Sequence, residues 1–528
     1  MLDLLFRGAS VVDGSGESAR NIDVGVKDGR ITLDVAGKTA KETIDATGLT
    51  LCPGFIDAHS HGDMGVGSIH NTTCKVSQGV TTEIGGQCGE SAFPIDLRFE
   101  QVHESMMGTT NFRRMPWRDF ENFRQYADYA NNLDLSINMC ALIGHSTLRM
   151  SVMGVENRKP TAEELELMKE RLKVAMEQGA MGLSSGLIYI PGVYADTEEL
   201  VELCKVIKPY GGIYATHMRS EGDTVLSAIE EAITVAETAG VPLVISHHKV
   251  SGRANWGRSV ETLALVENAV ARGVKIMLDQ YPYEASMTSL KTCIPPQYFA
   301  DGIPALMEKL RDPQWRKQIA YEMYHPTGNY SGFESSGGPT GIFISACPNV
   351  PEAEGMFISE YAEKTGKDPV DAYFDLLLAN DCLVSAIFFT MDIKDVERIY
   401  CHPLTAVGSD GLCYGLEEKA HPRAWGTFIR PLREFAEEKH LVTFEQAVRK
   451  QTAQAAEFWG LKDRGRIAEG YYADLVLLDR SKLCDRACYQ DSNQKADGIE
   501  AVYVMGQCVY RDKELTGVYP GRLLRRGE

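Results

Sequence analysis

The feature that most constrains how this 528-residue chain can fold is the alternation of short apolar runs with long amphipathic segments. Nearly every apolar run ends in a polar, chemically reactive residue. The eight candidate strands are PGFIDAHSH (53–61), VTTEIGG (80–86), LSINMCALIGH (135–145), AMGLSSGL (180–187), GIYATH (212–217), PLVISHH (242–248), VKIMLDQYP (274–282) and LTAVGSD (404–410). Strands that alternate with helices build a parallel sheet, so this region predicts an α/β fold.

Eight such units favour a closed barrel, in which side chains from the C-terminal ends of different strands converge on one site. An open, doubly wound sheet is the competing layout. It is disfavoured because no Gly-rich phosphate loop follows the first strand. We therefore expect a (β/α)8 TIM barrel over residues 52–455.

The two chain ends lack helical periodicity and consist of short strands separated by turn residues, as in LLFRGASVVDG and GIEAVYVMGQCVYRD. Chain termini often lie close together, so residues 1–51 and 456–528 are expected to form one small β-sandwich domain. A Pro- and Gly-rich segment after the seventh strand, residues 286–348, is too long for an ordinary βα loop. We expect a lid-like insertion there.

Composition excludes several classes of protein. The formal net charge of −19, with no basic stripe, argues against nucleic acid as a partner. No apolar stretch is long enough for a membrane span, and the N-terminus lacks the pattern of a secretory signal. The thirteen cysteines include no CxxC pair, which argues against a disulfide framework and favours the cytoplasm. A homo-oligomer is compatible with all of these observations.

Four histidines lie at candidate strand ends. His59 and His61 are one residue apart, so in a strand both imidazoles project to the same side. His217 closes the fifth strand, and His247 lies at the end of the sixth. Each alone could be a surface or core histidine, but neutral imidazole is the commonest zinc ligand, and the recurrence at strand ends indicates a shared metal site.

Two further residues have the chemistry of metal ligands. Asp410 ends the eighth strand, where its carboxylate could bind a metal and accept a proton from water; a helix N-cap is the alternative. Cys88 follows the second strand among glycines that would let a thiolate approach a metal; a buried free cysteine is the alternative. Strands three and four offer no lysine for a carboxylated-lysine metal bridge, and a thiolate could fill that role.

Together these motifs resemble the amidohydrolase superfamily and, within it, the N-acyl-D-amino-acid deacylase (D-aminoacylase) family. The likeness covers nearly the whole chain. It includes PGFIDAHSHGD, GVTTEIGGQCG, GHSTLR, GLSSGLIYIPGVYA, THMRSEGD, ISHHKVSG, NWG, DQYPYEAS, VGSDG, HPRAWGTF and GRIAEGYYADLVLLD. The HxH pair marks only the superfamily, whereas the cysteine after GVTT and the SHxK motif are specific to this branch.

The resemblance implies which residues form the site. The implied tight zinc site consists of Cys88, His217 and His247. The implied second metal site consists of His59, His61 and Asp410. Asp410 is also the implied catalytic base, with Tyr189 and His217 near the scissile carbonyl. The residues implied to hold the substrate's α-carboxylate are Lys249, Tyr283, Ser289 and Arg423. An ordinary ion pair is the alternative for Lys249 and Arg423.

The implied function is zinc-dependent hydrolysis of an N-acyl-D-amino acid, a small-molecule substrate, to a carboxylate and a free D-amino acid. Lys291 follows the YPY motif, where it could select an acidic substrate side chain or be a solvated lysine. Three alternatives stay open: a cyclic amidase such as a hydantoinase or dihydropyrimidinase, a dipeptidase of the same superfamily, and a metal-free scaffold that has lost the chemistry.

Overall fold

A computed structural model of the chain describes residues 1–66, 72–106, 110–327, 332–415 and 419–528, without the side chains of residues 110 and 111. Residues 328–331 of the expected insertion therefore lie outside the described residues. Across the described ranges, no helix combines the length and the apolar character needed to cross a membrane.

The strands are numbered in chain order. They are β1 (Leu2–Arg7), β2 (Ser10–Val11), β3 (Arg20–Asn21), β4 (Val24–Lys27), β5 (Arg30–Thr32), β6 (Ala40–Asp45), β7 (Thr50–Pro53), β8 (Phe55–Asp57), β9 (Val80–Gly85), β10 (Asn138–Ala141), β11 (Ile143–Gly144), β12 (Gly182–Gly186), β13 (Ile213–His217), β14 (Leu243–Ile245), β15 (Ile276–Gln280), β16 (Ala285–Ser289), β17 (Ile342–Ala346), β18 (Ser385–Phe389), β19 (Thr405–Val407), β20 (Leu475–Leu478), β21 (Ile499–Val504), β22 (Gln507–Arg511) and β23 (Glu514–Leu515).

The helices are numbered in the same way. They are α1 (Thr73–Val76), α2 (Glu100–Met106), α3 (Thr110–Arg114), α4 (Phe123–Asn131), α5 (His145–Met153), α6 (Ala162–Gln178), α7 (Thr197–Ile207), α8 (Val225–Ala239), α9 (Ser259–Ala271), α10 (Gly302–Arg311), α11 (Pro313–Tyr324), α12 (Gly338–Gly341), α13 (Ile358–Thr365), α14 (Pro369–Ala379), α15 (Ile393–Cys401), α16 (Arg423–Gly426), α17 (Phe444–Lys450) and α18 (Ala453–Trp459). The longest, α6, begins at a Thr161–Glu164 capping box and ends at Gly179 with φ 113°.

The central strands form two parallel sheets, in the orders β10-β9-β8 and β11-β12-β13-β14-β15-β19. Only Leu142 separates β10 from β11, and its amide donates to Gly85 O of β9 at 3.0 Å. At the other end, Ala58 N donates to Val407 O at 3.1 Å, which joins the chain after β8 to β19. One apolar cluster draws residues from both sheets, including Ile56, Ile84, Val244 and Ala406, so the two sheets share a core.

The first and last strands of this group approach each other very closely. A Cβ atom at Gly408, just beyond β19, would lie 2.5 Å from Cβ of His59, which only glycine avoids. Asp410 N donates to His59 O at 2.8 Å. The residues that follow β8 and β19 are therefore held side by side.

Both chain ends contribute strands to the remaining sheets. One has the order β5-β4-β1-β6, and the other, β23-β22-β21-β20-β7-β2-β3, joins N-terminal to C-terminal strands. Side chains alternate along β20: Leu475 and Leu477 pack in the core between these sheets, whereas Val476 and Leu478 pack towards the helices of the central region. The last residues return to the central sheets, where Leu523 pairs with Met139.

The segment after β15 folds around its own core. Its three strands form an antiparallel sheet in the order β16-β18-β17, and α10, α11, α13 and α14 pack against this sheet. Residues such as Leu290, Phe333 and Phe374 are fully buried there. This folded segment extends to Phe389, beyond the expected range of 286–348.

Candidate metal centre and active site

The expected metal ligands lie at or just beyond the C-terminal ends of the parallel strands. His59 follows β8, Cys88 follows β9, His217 closes β13, His247 follows β14 and Asp410 follows β19. All five residues are at most 9% exposed. This is the end of a parallel α/β sheet at which functional side chains converge.

One group of ligand atoms is compact. Single atoms of His59, Cys88, His247 and Asp410 all lie within 4.8 Å of one another. Cys88 Sγ lies 3.4 Å from His59 Nε2 and 3.3 Å from His247 Nε2. Asp410 Oδ1 lies 3.5 Å from His59 Nε2. Imidazole, thiolate and carboxylate ligands in this arrangement suit zinc.

A second group shares His247 with the first. His217, Glu221 and His247 offer ligand atoms within 4.8 Å of one another, and the His217 and His247 ring centroids are 4.4 Å apart. His217 is buried, yet neither of its ring nitrogens has a hydrogen-bond partner among the described residues. Buried polar atoms are rarely left without a partner, so this orphaned imidazole fits a metal ligand.

His61 also reaches this centre, because its Nε2 lies 3.1 Å from Asp410 Oδ1. All six predicted ligands are thus brought together. The structure does not divide them into two separate sets, since Cys88 lies between His59 and His247.

Two carboxylates orient the imidazoles from behind. His59 Nδ1 lies 3.1 Å from Asp279 Oδ1, so its Nε2 faces Cys88 and Asp410. His247 Nδ1 lies 3.0 Å from Glu221 Oε1, so its Nε2 also faces Cys88. Carboxylates in this position fix the ring and raise the basicity of a metal-binding histidine. Sequence reasoning missed Asp279 and Glu221, although both lie in the quoted motifs DQYPYEAS and THMRSEGD.

The neighbouring His248 points away from the centre, as expected if His247 points in. Its Nε2 lies 3.0 Å from Thr262 Oγ1 on α9. Adjacent histidines in one motif therefore have different surroundings.

Three candidate ligands have left-handed backbone conformations. The φ angles are 53° at Cys88, 35° at His247 and 50° at Asp410. Non-glycine residues adopt this region at a cost, and such residues cluster at functional sites. The backbone is thus bent where each side chain turns into the centre.

Burial and charge set the protonation of these groups. Burial raises the pKa of the Cys88 thiol well above its usual range and lowers the pKa of His217 and His247. Burial also acts to raise the pKa of Asp410, but the Arg423 guanidinium and the nearby imidazoles outweigh it and hold that pKa well below normal. The lowered pKa values keep His217 and His247 neutral, as metal binding requires, whereas the Asp410 carboxylate outweighs burial and raises the pKa of His61. A bound cation would favour the Cys88 thiolate.

Two cations border the centre. Arg423 Nη1 lies 2.7 Å from Asp410 Oδ2, and Nη2 donates to Met287 O on β16 at 3.2 Å. Lys249 Nζ lies 2.6 Å from both Glu221 Oε1 and His247 Nδ1. The structure therefore places a guanidinium and an ammonium beside the candidate ligands.

Tyr281, rather than Tyr283, lies beside both cations. The Tyr281 ring centroid is 4.7 Å from Arg423 Cζ and 5.6 Å from Lys249 Nζ. Tyr283 instead lies under Arg430, 4.5 Å from Cζ, and its hydroxyl donates to Pro422 O at 3.5 Å. This corrects the expectation for Tyr283. Its amide donates to Tyr281 O at 3.0 Å, and this tight turn directs the two rings apart.

The remaining predicted residues differ in position. Tyr189 joins the site, with its ring centroid 5.0 Å from that of His217. Ser289 does not contact the two cations, because its Oγ donates to Val384 O at 3.5 Å within the antiparallel sheet. Lys291 lies in the turn after β16, where burial lowers its pKa and Glu90 is one of the nearby charges.

Comparison with known proteins agrees with this centre. A model of the amidohydrolase family matches residues 42–321 and 392–510. The chain is 37% identical to D-aminoacylase from Alcaligenes xylosoxydans xylosoxydans over 526 residues, covering 99% of this chain and 98% of the relative.

Two solved structures share the fold. A crystal structure of D-aminoacylase superposes with a TM-score of 0.84 at 35% identity and covers 100% of both chains. N-acyl-D-glutamate deacylase from Bordetella bronchiseptica, complexed with zinc and a phosphonate inhibitor, has a TM-score of 0.84 at 33% identity and covers 99% of both chains. The expected α/β class is confirmed. The chain belongs to the amidohydrolase family and, within it, to the N-acyl-D-amino-acid deacylases.

Proposed function

We propose that this protein hydrolyses the amide bond of N-acyl-D-amino acids, releasing a carboxylate and a free D-amino acid. The observation that carries the proposal is the placement of a guanidinium directly beside the candidate metal ligands, with Arg423 Nη1 2.7 Å from Asp410. A substrate with a carboxylate next to its amide matches that pair of features. Identity of 37% to D-aminoacylase over nearly the whole chain supports the same activity.

The metal is zinc in this proposal. By the family resemblance rather than by their spacing, Cys88, His217 and His247 would hold one ion tightly, and His59, His61 and Asp410 would form a second site. Bound zinc would supply a Lewis acid for the acyl carbonyl and lower the pKa of water. The thiolate and imidazole donors, and the orphaned nitrogens of buried His217, support zinc as the metal.

The protein's own residues move the proton and hold the substrate. Asp410 accepts the proton of the attacking water and returns it to the leaving amine. Arg423 and Lys249 bind the α-carboxylate, with Tyr281 taking the place first expected for Tyr283. Tyr189, against His217, stabilises the developing oxyanion. Because the carboxylate is fixed at several points, only one enantiomer directs its amide towards the metal ligands, and the identity to D-aminoacylase supports the D form.

The architecture that serves this function is a closed (β/α)8 barrel made from the two parallel sheets, over residues 52–455. Residues 1–51 and 456–528 form a β-sandwich beside it, and the shared core of the two terminal sheets supports that assignment. The insertion, residues 285–389, is a lid, and its separate core supports its being a distinct unit. None of the thirteen cysteines, all of which lie in the described ranges, forms a disulfide, which supports a cytoplasmic location.

The test is release of free amino acid from matched N-acetyl-D- and N-acetyl-L-amino acids, with zinc-loaded and chelator-treated protein. We expect zinc-dependent release from the D series only. His247→Ala should abolish release, and His248→Gln, altered at the histidine that faces Thr262, should retain it. Failure on both series, with turnover of hydantoins or dipeptides instead, would overturn the proposal.

A further inference from the structure

Lys75 is fully buried beneath the candidate metal centre, and no part of the proposed chemistry uses it. It lies on α1, and its Nζ donates to Asp57 Oδ2 at 2.5 Å, Ser409 Oγ at 2.6 Å and Ser60 Oγ at 3.1 Å. Gly411 O accepts a longer bond at 3.4 Å. One ammonium therefore binds the segments that follow both β8 and β19.

These bonds surround the candidate ligands on both segments. Ser60 lies between His59 and His61 in sequence, and Ser409 immediately precedes Asp410. Asp57, the acceptor of the shortest Lys75 bond, also accepts from His59 N at 3.2 Å and Ser409 N at 2.8 Å. The ligands themselves are not touched by Lys75, but their immediate neighbours are.

The charge on Lys75 is compensated within the protein. Burial acts to lower the pKa of Lys75, but Asp57 and Glu83, whose Oε2 lies 3.8 Å away, outweigh that effect and raise the pKa. A buried ammonium is tolerated only when it is paired and hydrogen-bonded. Lys75 is thus held as a cation with every donor engaged.

We infer that Lys75 is a positioning residue that fixes His59 and His61 against Asp410 and so sets the metal affinity of the second site. This inference rests on the proposed function. Lys75 forms no hydrogen bond or ion pair with Cys88, His217 or His247 among the described residues. Glu221, in the loop after β13, and Asp279, on β15, orient His247 instead. Loss of Lys75 should therefore weaken one metal site and spare the other.

Lys450 provides a matched control. It is 6% exposed, and its Nζ donates to His402 O at 2.7 Å and Thr405 O at 3.1 Å. Thr405 begins β19 and His402 lies just before it, at the end of the strand opposite to Asp410. Lys450, the last residue of α17, thus binds the opposite end of β19, and Lys450→Met removes a buried lysine without disturbing the segment that carries the ligands.

The experiment is calorimetric zinc titration of the full-length apoprotein, with metal content measured independently. We expect Lys75→Met to weaken the second zinc by roughly 10- to 100-fold, the usual effect of removing an outer-shell partner, while the first zinc is retained. kcat should fall because Asp410, the proposed base, is no longer held in place beside His59 and His61. KM should change less than about twofold, because Arg423 and Lys249 remain. Lys450→Met should leave both zinc affinities unchanged.

Ser409→Ala is a second variant in case Lys75→Met fails to fold. It removes the Lys75–Ser409 bond, together with the bonds of Ser409 Oγ to Asp57 and Gly411 N, and leaves no buried charge without a partner. We expect a smaller loss of affinity, of a few-fold, confined to the second zinc. Suppose that the wild type deacylates its substrates and binds two zinc ions, but the affinity for the second zinc is unaltered in a folded variant. That result would overturn the inference about Lys75 and leave the proposed function standing. A wild type that binds a single zinc would overturn the inference as well, whereas one without zinc or deacylation would refute the proposed function.

Discussion

Individual residues in this site have roles that depend on backbone direction more than on residue type. His247 and His248 are adjacent, yet one faces Cys88 and the other faces Thr262. Cys88 and Cys140 are both buried thiols, but only Cys88 turns, at φ 53°, towards the imidazoles. These contrasts provide matched pairs for mutation.

Cys88→Ala should lose tightly bound zinc and, with it, deacylation, because Sγ is the only sulfur atom among the candidate ligands. Cys140→Ala, in the core of the parallel sheets, should retain zinc and lose only stability through the cavity it creates. Metal content of the purified proteins distinguishes the two. Full zinc in Cys88→Ala would remove Cys88 from the ligand set.

Asp410→Asn should retain the tight zinc and lose turnover. Asparagine tolerates the left-handed backbone at this position, φ 50°, but it cannot accept the proton. A general base contributes roughly 10²- to 10⁴-fold, so we expect kcat to fall by about that factor. Steady-state kinetics together with metal analysis test this prediction. An undiminished kcat would mean that a residue other than Asp410 accepts the proton.

His103 on α2 should contribute to acid sensitivity. Burial lowers its pKa to about 4, from an ordinary value of 6.5. Between these values the unfolded chain binds a proton that the folded chain does not, so the stability present above pH 6.5 is lost as the pH falls towards 4. The loss is about 3 kcal/mol by pH 4.

His103→Phe should therefore flatten the dependence of the free energy of unfolding on pH between 6.5 and 4, measured by urea denaturation at several pH values. His325→Phe, on an exposed part of the chain, should leave that dependence as in the wild type. Parallel curves for wild type and His103→Phe would contradict the argument.

At the scale of elements, the residues at the strand ends could be predicted from the sequence, whereas the directions of side chains around turns could not. Each predicted ligand follows an apolar run that the sequence displays locally, and the α/β class and the family are confirmed. The position of Tyr281 depends on a turn that separates it from Tyr283, and spacing alone does not reveal that turn. Likewise β18, the central strand of the antiparallel sheet of the insertion, lies far from β16 in sequence, with no local signal that the two strands pair.

The insertion should influence substrate binding through β16, whose Met287 O accepts from Arg423. Phe374→Ala, in the core of the insertion, should cost about 3–5 kcal/mol and raise KM, because the core that supports β16 is loosened. Leu475→Ala, in the core of the terminal sheets, should cost about 2–5 kcal/mol without changing KM. Equal KM values in the two variants would show that the core of the insertion does not influence substrate binding.

For the whole molecule, zinc binding and folding should be linked. The candidate ligands come from strands spread along the chain, from His59 to Asp410, so only the folded state brings them together. Zinc at 100 times its dissociation constant should add about 2.7 kcal/mol to the free energy of unfolding. Thermal denaturation with and without chelator measures this gain, and Cys88→Ala should show little of it.

Strand β7 pairs with β20, so Pro53 lies opposite Leu475 although nearly the whole protein separates them in sequence. During translation, β7 leaves the ribosome long before its partner is made. Until then its amide and carbonyl groups form an open edge that other nascent chains can bind. A polypeptide released early never gains β20 to cover that edge, so truncated products of this gene should be preferred clients of chaperones and proteases.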